Sequence, residues 1–66
     1  MQGIVKEYNR DRGFGFITGE NGDDYFVHVS GIGPKLQKFG LREGQNVAFD
    51  VDYDHKGDKA INIRPI

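Results

Sequence analysis

Phe14-Gly15-Phe16-Ile17-Thr18, the break Glu20-Asn21-Gly22-Asp23 and the run Tyr25-Phe26-Val27-His28-Val29 read as two strands joined by a turn. β-branched and aromatic residues fill both runs, and Asn-Gly in the break is turn chemistry. Successive side chains of a strand point to opposite faces. On the first run Arg12, Phe14 and Phe16 share one parity, and Gly13, Gly15 and Ile17 share the other. On the second, Asp24, Phe26, His28 and Ser30 alternate with Tyr25, Val27 and Val29. A charged or polar residue marks the wet side of its parity. Phe14, Phe16 and Phe26 are therefore expected to face solvent, with the His28 imidazole beside them. The converse, with phenylalanines inside and glycines outside, would carry Arg12 and His28 into the core. Exposed aromatic clusters on small domains usually mark binding surfaces.

Three more strand-like runs lie around this pair, at residues 3–8, 46–53 and 59–64, and helical signals are weak throughout. In the fourth run Val47, Phe49 and Val51 alternate with Ala48, Asp50 and Asp52, so the apolar set is expected inside. In the fifth, Ile61 and Ile63 alternate with Ala60, Asn62 and Arg64, which predicts both isoleucines in the core. Turn residues separate the runs at 9–13 and 54–57. Residues 30–44 form one longer connection, with at most one helical turn expected near Ser30 to Gly33 and Ser30 as its cap. Five short strands with a long link between the third and fourth predict an all-β, five-stranded antiparallel Greek-key barrel.

The chain has 66 residues, which sets one domain over 1–66. A domain this small buries only about 60% of the surface its unfolded chain exposes. It has no cysteine, so neither a disulfide nor a thiolate metal site supports it. That composition suits a reducing compartment, and a cytoplasmic location is expected. The first residues lack the basic-then-apolar order of a signal peptide, and no apolar run is long enough to span a membrane. Nine basic residues oppose ten acidic ones, for a net charge of −1. The distribution is uneven. Lys6, Arg10, Arg12, Lys35, Lys38 and Arg42 lie early, while Asp50, Asp52, Asp54 and Asp58 crowd the later part. A basic face and an acidic back are expected from this order.

Catalysis finds little support. The two histidines are His28, on a flat face, and His55, in a turn. Gly13-x-Gly15 precedes no helix, so it is not a nucleotide-binding loop. No catalytic residue, metal or cofactor is expected. The rings, in contrast, are interleaved with Lys6, Arg12, Lys56 and Lys59. Bases have apolar faces and phosphates are anionic, so rings beside cations suit single-stranded nucleic acid. A peptide-binding barrel using the same patch is the alternative. Salt separates the two, because counterion release makes nucleic-acid binding fall steeply with ionic strength. Weak or no duplex binding is expected, since stacking needs free base faces. A monomer is expected, with domain swapping through the long link as the route to a dimer.

Arg12-Gly13-Phe14-Gly15-Phe16-Ile17 resembles the first ribonucleoprotein motif of the bacterial cold-shock proteins, and Tyr25-Phe26-Val27-His28-Val29 resembles the second. Gly3-Ile4-Val5-Lys6, Ser30-Gly31-Ile32, Leu41-Arg42-Glu43-Gly44-Gln45, Lys56-Gly57 and Ala60-Ile61-Asn62-Ile63 follow in that family's order, so the likeness covers essentially the whole chain. The resemblance implies an OB-fold cold-shock domain that binds single-stranded RNA and DNA and acts as an RNA chaperone. It implies binding-face positions at Lys6, Arg12, Phe14, Phe16, Asp24, Phe26, His28 and Lys56. It further implies a stacking ring at Phe39, in a loop one residue longer than usual, and a base-edge contact at Asp24. Glu7 stands where the family usually has tryptophan, Tyr8 where it has phenylalanine, and Val29 where it often has phenylalanine. Tyr8 keeps a ring that can stack; Glu7 and Val29 remove platforms.

Overall fold

A computed structural model describes residues 1–37, 40–54 and 57–66, apart from the side chains of residues 35 and 54. Five strands form: β1 (Gln2–Asn9), β2 (Phe14–Gly19), β3 (Asp24–His28), β4 (Asn46–Asp54) and β5 (Gly57–Pro65). They close into a barrel in the order β1-β2-β3-β5-β4, with β4 returning to β1. Four of the pairs are antiparallel, and the β3–β5 pair that shuts the barrel runs parallel. This is the all-β Greek-key barrel that the strand spacing predicts.

The interior is a single apolar cluster built from every strand: Val5, Ile17, Tyr25, Val27, Val47, Phe49, Ala60 and Ile63. Ile32, Leu36 and Leu41, from the long connection, are buried in the same cluster. Tyr25 packs its ring 5.5 Å from that of Phe49. Its hydroxyl would be costly to bury alone, and it accepts a hydrogen bond from Asn21 Nδ2 at 2.8 Å in the β2–β3 turn. Gly15 is the tightest point of the wall. It pairs with Tyr8 across β1, and a Cβ there would run into the Glu7 carbonyl oxygen and sit 2.7 Å from Tyr8 Cα. Only a glycine allows the two strands to approach so closely.

Two bulges reset the alternation. In β1, Val5 pairs with Ile17 and Glu7 with Phe16, which leaves Lys6 as an extra residue. Lys6 and Glu7 are therefore both exposed, and Tyr8 turns toward the core. In β5 the register slips between the Ala48–Arg64 and Asp50–Ile61 pairs, where Asn62 takes a positive φ of 51°. Asparagine tolerates that backbone region better than most residues. The slip overturns the prediction for Ile61. Ala60 and Ile63 are buried, and Ile61 is only half-buried, because one extra residue flips the parity between them.

The long connection also departs from expectation. A 3-10 turn spans Val29–Gly31, so Val29 leaves the strand, and a second helical turn, α1, spans Pro34–Gln37. Ser30 is not the cap. His28 is, with Nδ1 accepting the Ser30 backbone N–H at 3.2 Å.

Candidate nucleic-acid interface

The register of β2 against β3 builds the face. Phe14 lies opposite His28, Phe16 opposite Phe26 and Thr18 opposite Asp24, with Gly15, Ile17, Tyr25 and Val27 turned inward. Residues opposite one another in a ladder share a face, so the three rings form one patch on the barrel wall. Phe26 is its hub. Its centroid lies 6.2 Å from that of Phe14 with the planes 29° apart, and 5.9 Å from that of Phe16 at 73°. Phe26 is 37% exposed, while Phe14 and Phe16 are half-buried. The patch continues onto β5, because Phe26 pairs in parallel with Lys59. A shallow hollow of about 530 Å³ opens there, lined by Phe16, Phe26, His28, Ser30, Gly57, Asp58 and Lys59.

His28 is oriented by its own turn. Nδ1 accepts the Ser30 N–H and stands 2.9 Å from Ser30 Oγ. The neutral ring therefore carries its proton on Nε2. An N–H donor, flanked by rings, is available to a ligand.

Charge on the face is arranged in pairs. The β1 bulge brings Lys6 Nζ to 2.9 Å from Asp24 Oδ2, and Thr18 Oγ1 donates to Asp24 Oδ1 at 2.8 Å. These two donors hold the Asp24 carboxyl below its ordinary value, and the hydrogen bond to Asp24 raises the Lys6 ammonium above its own. Lys59 lies 3.6 Å from Asp52, and Arg64 lies 3.8 Å from Asp50, which also accepts a hydrogen bond from Asn62. The acids of β4 are thus partly matched by bases of β5, and charge is not simply divided into a basic front and an acidic back. Arg12 is exposed in the β1–β2 turn, where its backbone N–H bonds Asn9 Oδ1 at 3.1 Å.

The structure brings together Lys6, Phe14, Phe16, Asp24, Phe26, His28 and Lys59, with Arg12 at one end. Tyr8 is not in the ring patch. It faces the Gly15 side and packs on the core, and burial raises its phenol above the ordinary value. Phe39 and Lys56 lie outside the described residues. Thr18 belongs to the face by parity with Phe16, a signal present in the sequence, and Ser30 lines the hollow from the 3-10 turn that follows His28. Glu7 belongs to the face too, opposite Phe16, but the bulge hides it from any count by twos. Among the described residues no group of three or more His, Cys, Asp or Glu side chains could hold a metal ion, and no helix is long and apolar enough to cross a membrane.

A wet sheet face with three clustered rings on the middle strands of a closed five-stranded barrel is a recurrent nucleic-acid-binding arrangement. The family model for the 'Cold-shock' DNA-binding domain matches residues 1–66. The chain belongs to the cold-shock domain family. The Major cold shock protein of Streptococcus pyogenes serotype M1 is 52% identical over 62 residues, 94% of this chain and 91% of that protein. Cold shock protein CspC of Bacillus subtilis is 51% identical over 63 residues, 96% of this chain and 94% of that protein. Cold shock protein 1 of Lactiplantibacillus plantarum is 49% identical with the same coverage. This cold-shock domain thus joins a nucleic-acid-binding family through its entire length.

Proposed function

We propose that this cold-shock domain binds single-stranded RNA and DNA by stacking bases on Phe14, Phe16 and Phe26, and that it serves as a cytoplasmic RNA chaperone acting as a monomer. The observation that carries this reading is the three-ring patch on the solvent side of β2 and β3. Each stacked base contributes roughly 1–3 kcal/mol and does so with little regard to sequence. Transient, sequence-tolerant occupation of unpaired bases keeps a strand from pairing with itself, which is what a chaperone of RNA requires. Arg12, Lys6 and Lys59 supply cations along the track, and His28 supplies a donor. Lys6 is the subtler of these. Its charge is shared with Asp24, so it contributes to phosphate attraction less than an unpaired lysine does. Phe39 and Lys56 join the proposed track on the family resemblance. No catalytic role is proposed.

The test is a titration of labelled single-stranded and duplex oligonucleotides at two salt concentrations. Single strands of RNA and DNA are expected to bind comparably, and duplex much more weakly. Affinity is expected to fall steeply with salt, and Arg12→Ala to flatten that fall more than Lys6→Ala. Equal binding of duplex and single strand would show that the rings are not the contact. Salt-insensitive binding would favour a peptide ligand on the same patch.

A further inference from the structure

We infer that Glu7 is a specificity residue that selects guanine at the position stacked beside it, a reading that rests on the single-strand function proposed above. Glu7 lies directly opposite Phe16 in the β1–β2 ladder, and Phe16 lies opposite Phe26 on its other side. Directly opposed residues on one face sit about 4.5–5.5 Å apart at Cβ. Two methylenes give the Glu7 carboxylate reach alongside the Phe16 ring, which meets Phe26 edge to face. A base stacked on the exposed face of either ring at this point of the patch is within reach of that carboxylate through its edge.

The carboxylate is free to act. Glu7 is exposed and makes no hydrogen bond or ion pair among the described residues. The neighbouring Asp24 differs, since each of its oxygens already accepts one hydrogen bond, from Lys6 and from Thr18. Lys6, the adjacent cation, is hydrogen-bonded to Asp24, and Glu7 acts on it only as a weaker neighbouring charge. Of the two carboxylates bordering the rings on β1 and β3, only Glu7 keeps both oxygens entirely open as acceptors.

An ionised carboxylate can only accept. Guanine offers it two adjacent donors, N1–H and N2–H, on the Watson–Crick edge, which fits two parallel N–H···O bonds. Adenine and cytosine offer one exocyclic amine beside a ring nitrogen that repels the second oxygen. Uracil and thymine offer one N3–H between two carbonyls, so repulsion outweighs attraction. The expected order is guanine first, cytosine and adenine next, thymine and uracil last. The same charge weakens the general attraction for phosphates, so selectivity is gained by rejecting the wrong bases as well as holding the right one.

The test uses single-stranded heptamers of thymidine with a central T, C, A, G or inosine, titrated against the intact chain and against Glu7→Gln. The guanine heptamer is expected to bind the parent about ten-fold tighter than the thymidine one, in line with one bidentate contact. Inosine, which lacks the N2 amine, is expected to fall between them. Glu7→Gln is expected to bring the guanine-to-thymidine ratio close to one while the thymidine heptamer binds equally well or better. Equal binding of guanine and thymidine heptamers to the parent overturns the inference, as does a ratio that survives Glu7→Gln. The inosine comparison needs no variant and so does not depend on the fold of one. If heptamers bind through the rings without base preference, only this inference falls. If none binds, the single-strand reading falls with it.

Discussion

Phe26→Ala separates a binding ring from a structural one. Phe26 is the ring that both Phe14 and Phe16 touch, and it is 37% exposed. Removing it takes away one stacking platform, about 1–3 kcal/mol of binding, or roughly a 5- to 150-fold rise in Kd. The cost to stability is smaller. The side chain lies outside the core, and its two ring contacts are worth about 0.5–1.5 kcal/mol each before solvent exposure discounts them. About 1 kcal/mol remains, which lowers Tm by roughly 4–8 °C in a domain of this size. Phe49→Ala is the control. That ring is fully buried, and its loss is expected to cost about 3–5 kcal/mol, enough to unfold a small barrel. The assays are fluorescence anisotropy with a labelled thymidine heptamer at two salt concentrations, and thermal denaturation. Phe26→Ala is expected to stay folded, bind more weakly and keep the parent's salt slope, since no charge is lost. If it unfolds as Phe49→Ala does, or binds as the parent does, the division between wet rings and buried rings is wrong.

Three further outcomes follow from the geometry. Gly15→Ala is expected to lose about 1–3 kcal/mol or more by forcing β1 away from β2, read as a lower urea midpoint; an unchanged midpoint would mean the strands are not in close contact there. Asp24 has a folded-state pKa below its ordinary 3.8, so its contribution to stability is present above that value and is lost as pH falls through the folded-state pKa. The stability advantage of the parent over Asp24→Asn is accordingly expected to be full above the ordinary carboxylate value of 3.8 and to shrink as pH falls below it in acid titrations, and a constant difference would rule out the Lys6–Asp24–Thr18 linkage. Glu7→Trp is expected to bind a thymidine heptamer more tightly by about 1–3 kcal/mol, because an anion is exchanged for a stacking face, and no gain would place the ligand away from β1.

What could be read from the residues follows from where the ladder is regular. β2 and β3 pair without a slip, so the polar marks at Arg12, Asp24 and His28 were enough to orient Phe14, Phe16 and Phe26. Counting by twos fails at each bulge. Ile61 was expected inside, and the slip at Asn62 moved Ala60 there instead. In β1 the bulge at Lys6 took Tyr8 out of the ring patch and set Glu7 into it. Ile32, Leu36 and Leu41 are buried in a segment without strand periodicity, where no alternation announces the inner face. The capping role of His28 was hidden for another reason: serine is the usual N-cap, and only the geometry shows the imidazole accepting the Ser30 N–H.

The parallel seam between β3 and β5 sets the order in which this chain can complete itself. β5 comes last of the five strands in the chain yet sits between β3 and β4 in space. Until it docks, β3 presents a bare row of amides and carbonyls, the kind of edge that recruits foreign strands. β1, β2 and β3 can assemble from neighbours in sequence, but the seam joins distant segments and carries the slow step of loop closure. The backbone groups around Val27 and Ala60, where the seam closes, are thus expected to be the last shielded on folding, and pulsed hydrogen exchange showing them protected before the β1–β2 and β2–β3 ladders would refute that order. Their protection against hydrogen exchange times the moment at which the half-made sheet stops being a hazard to its neighbours.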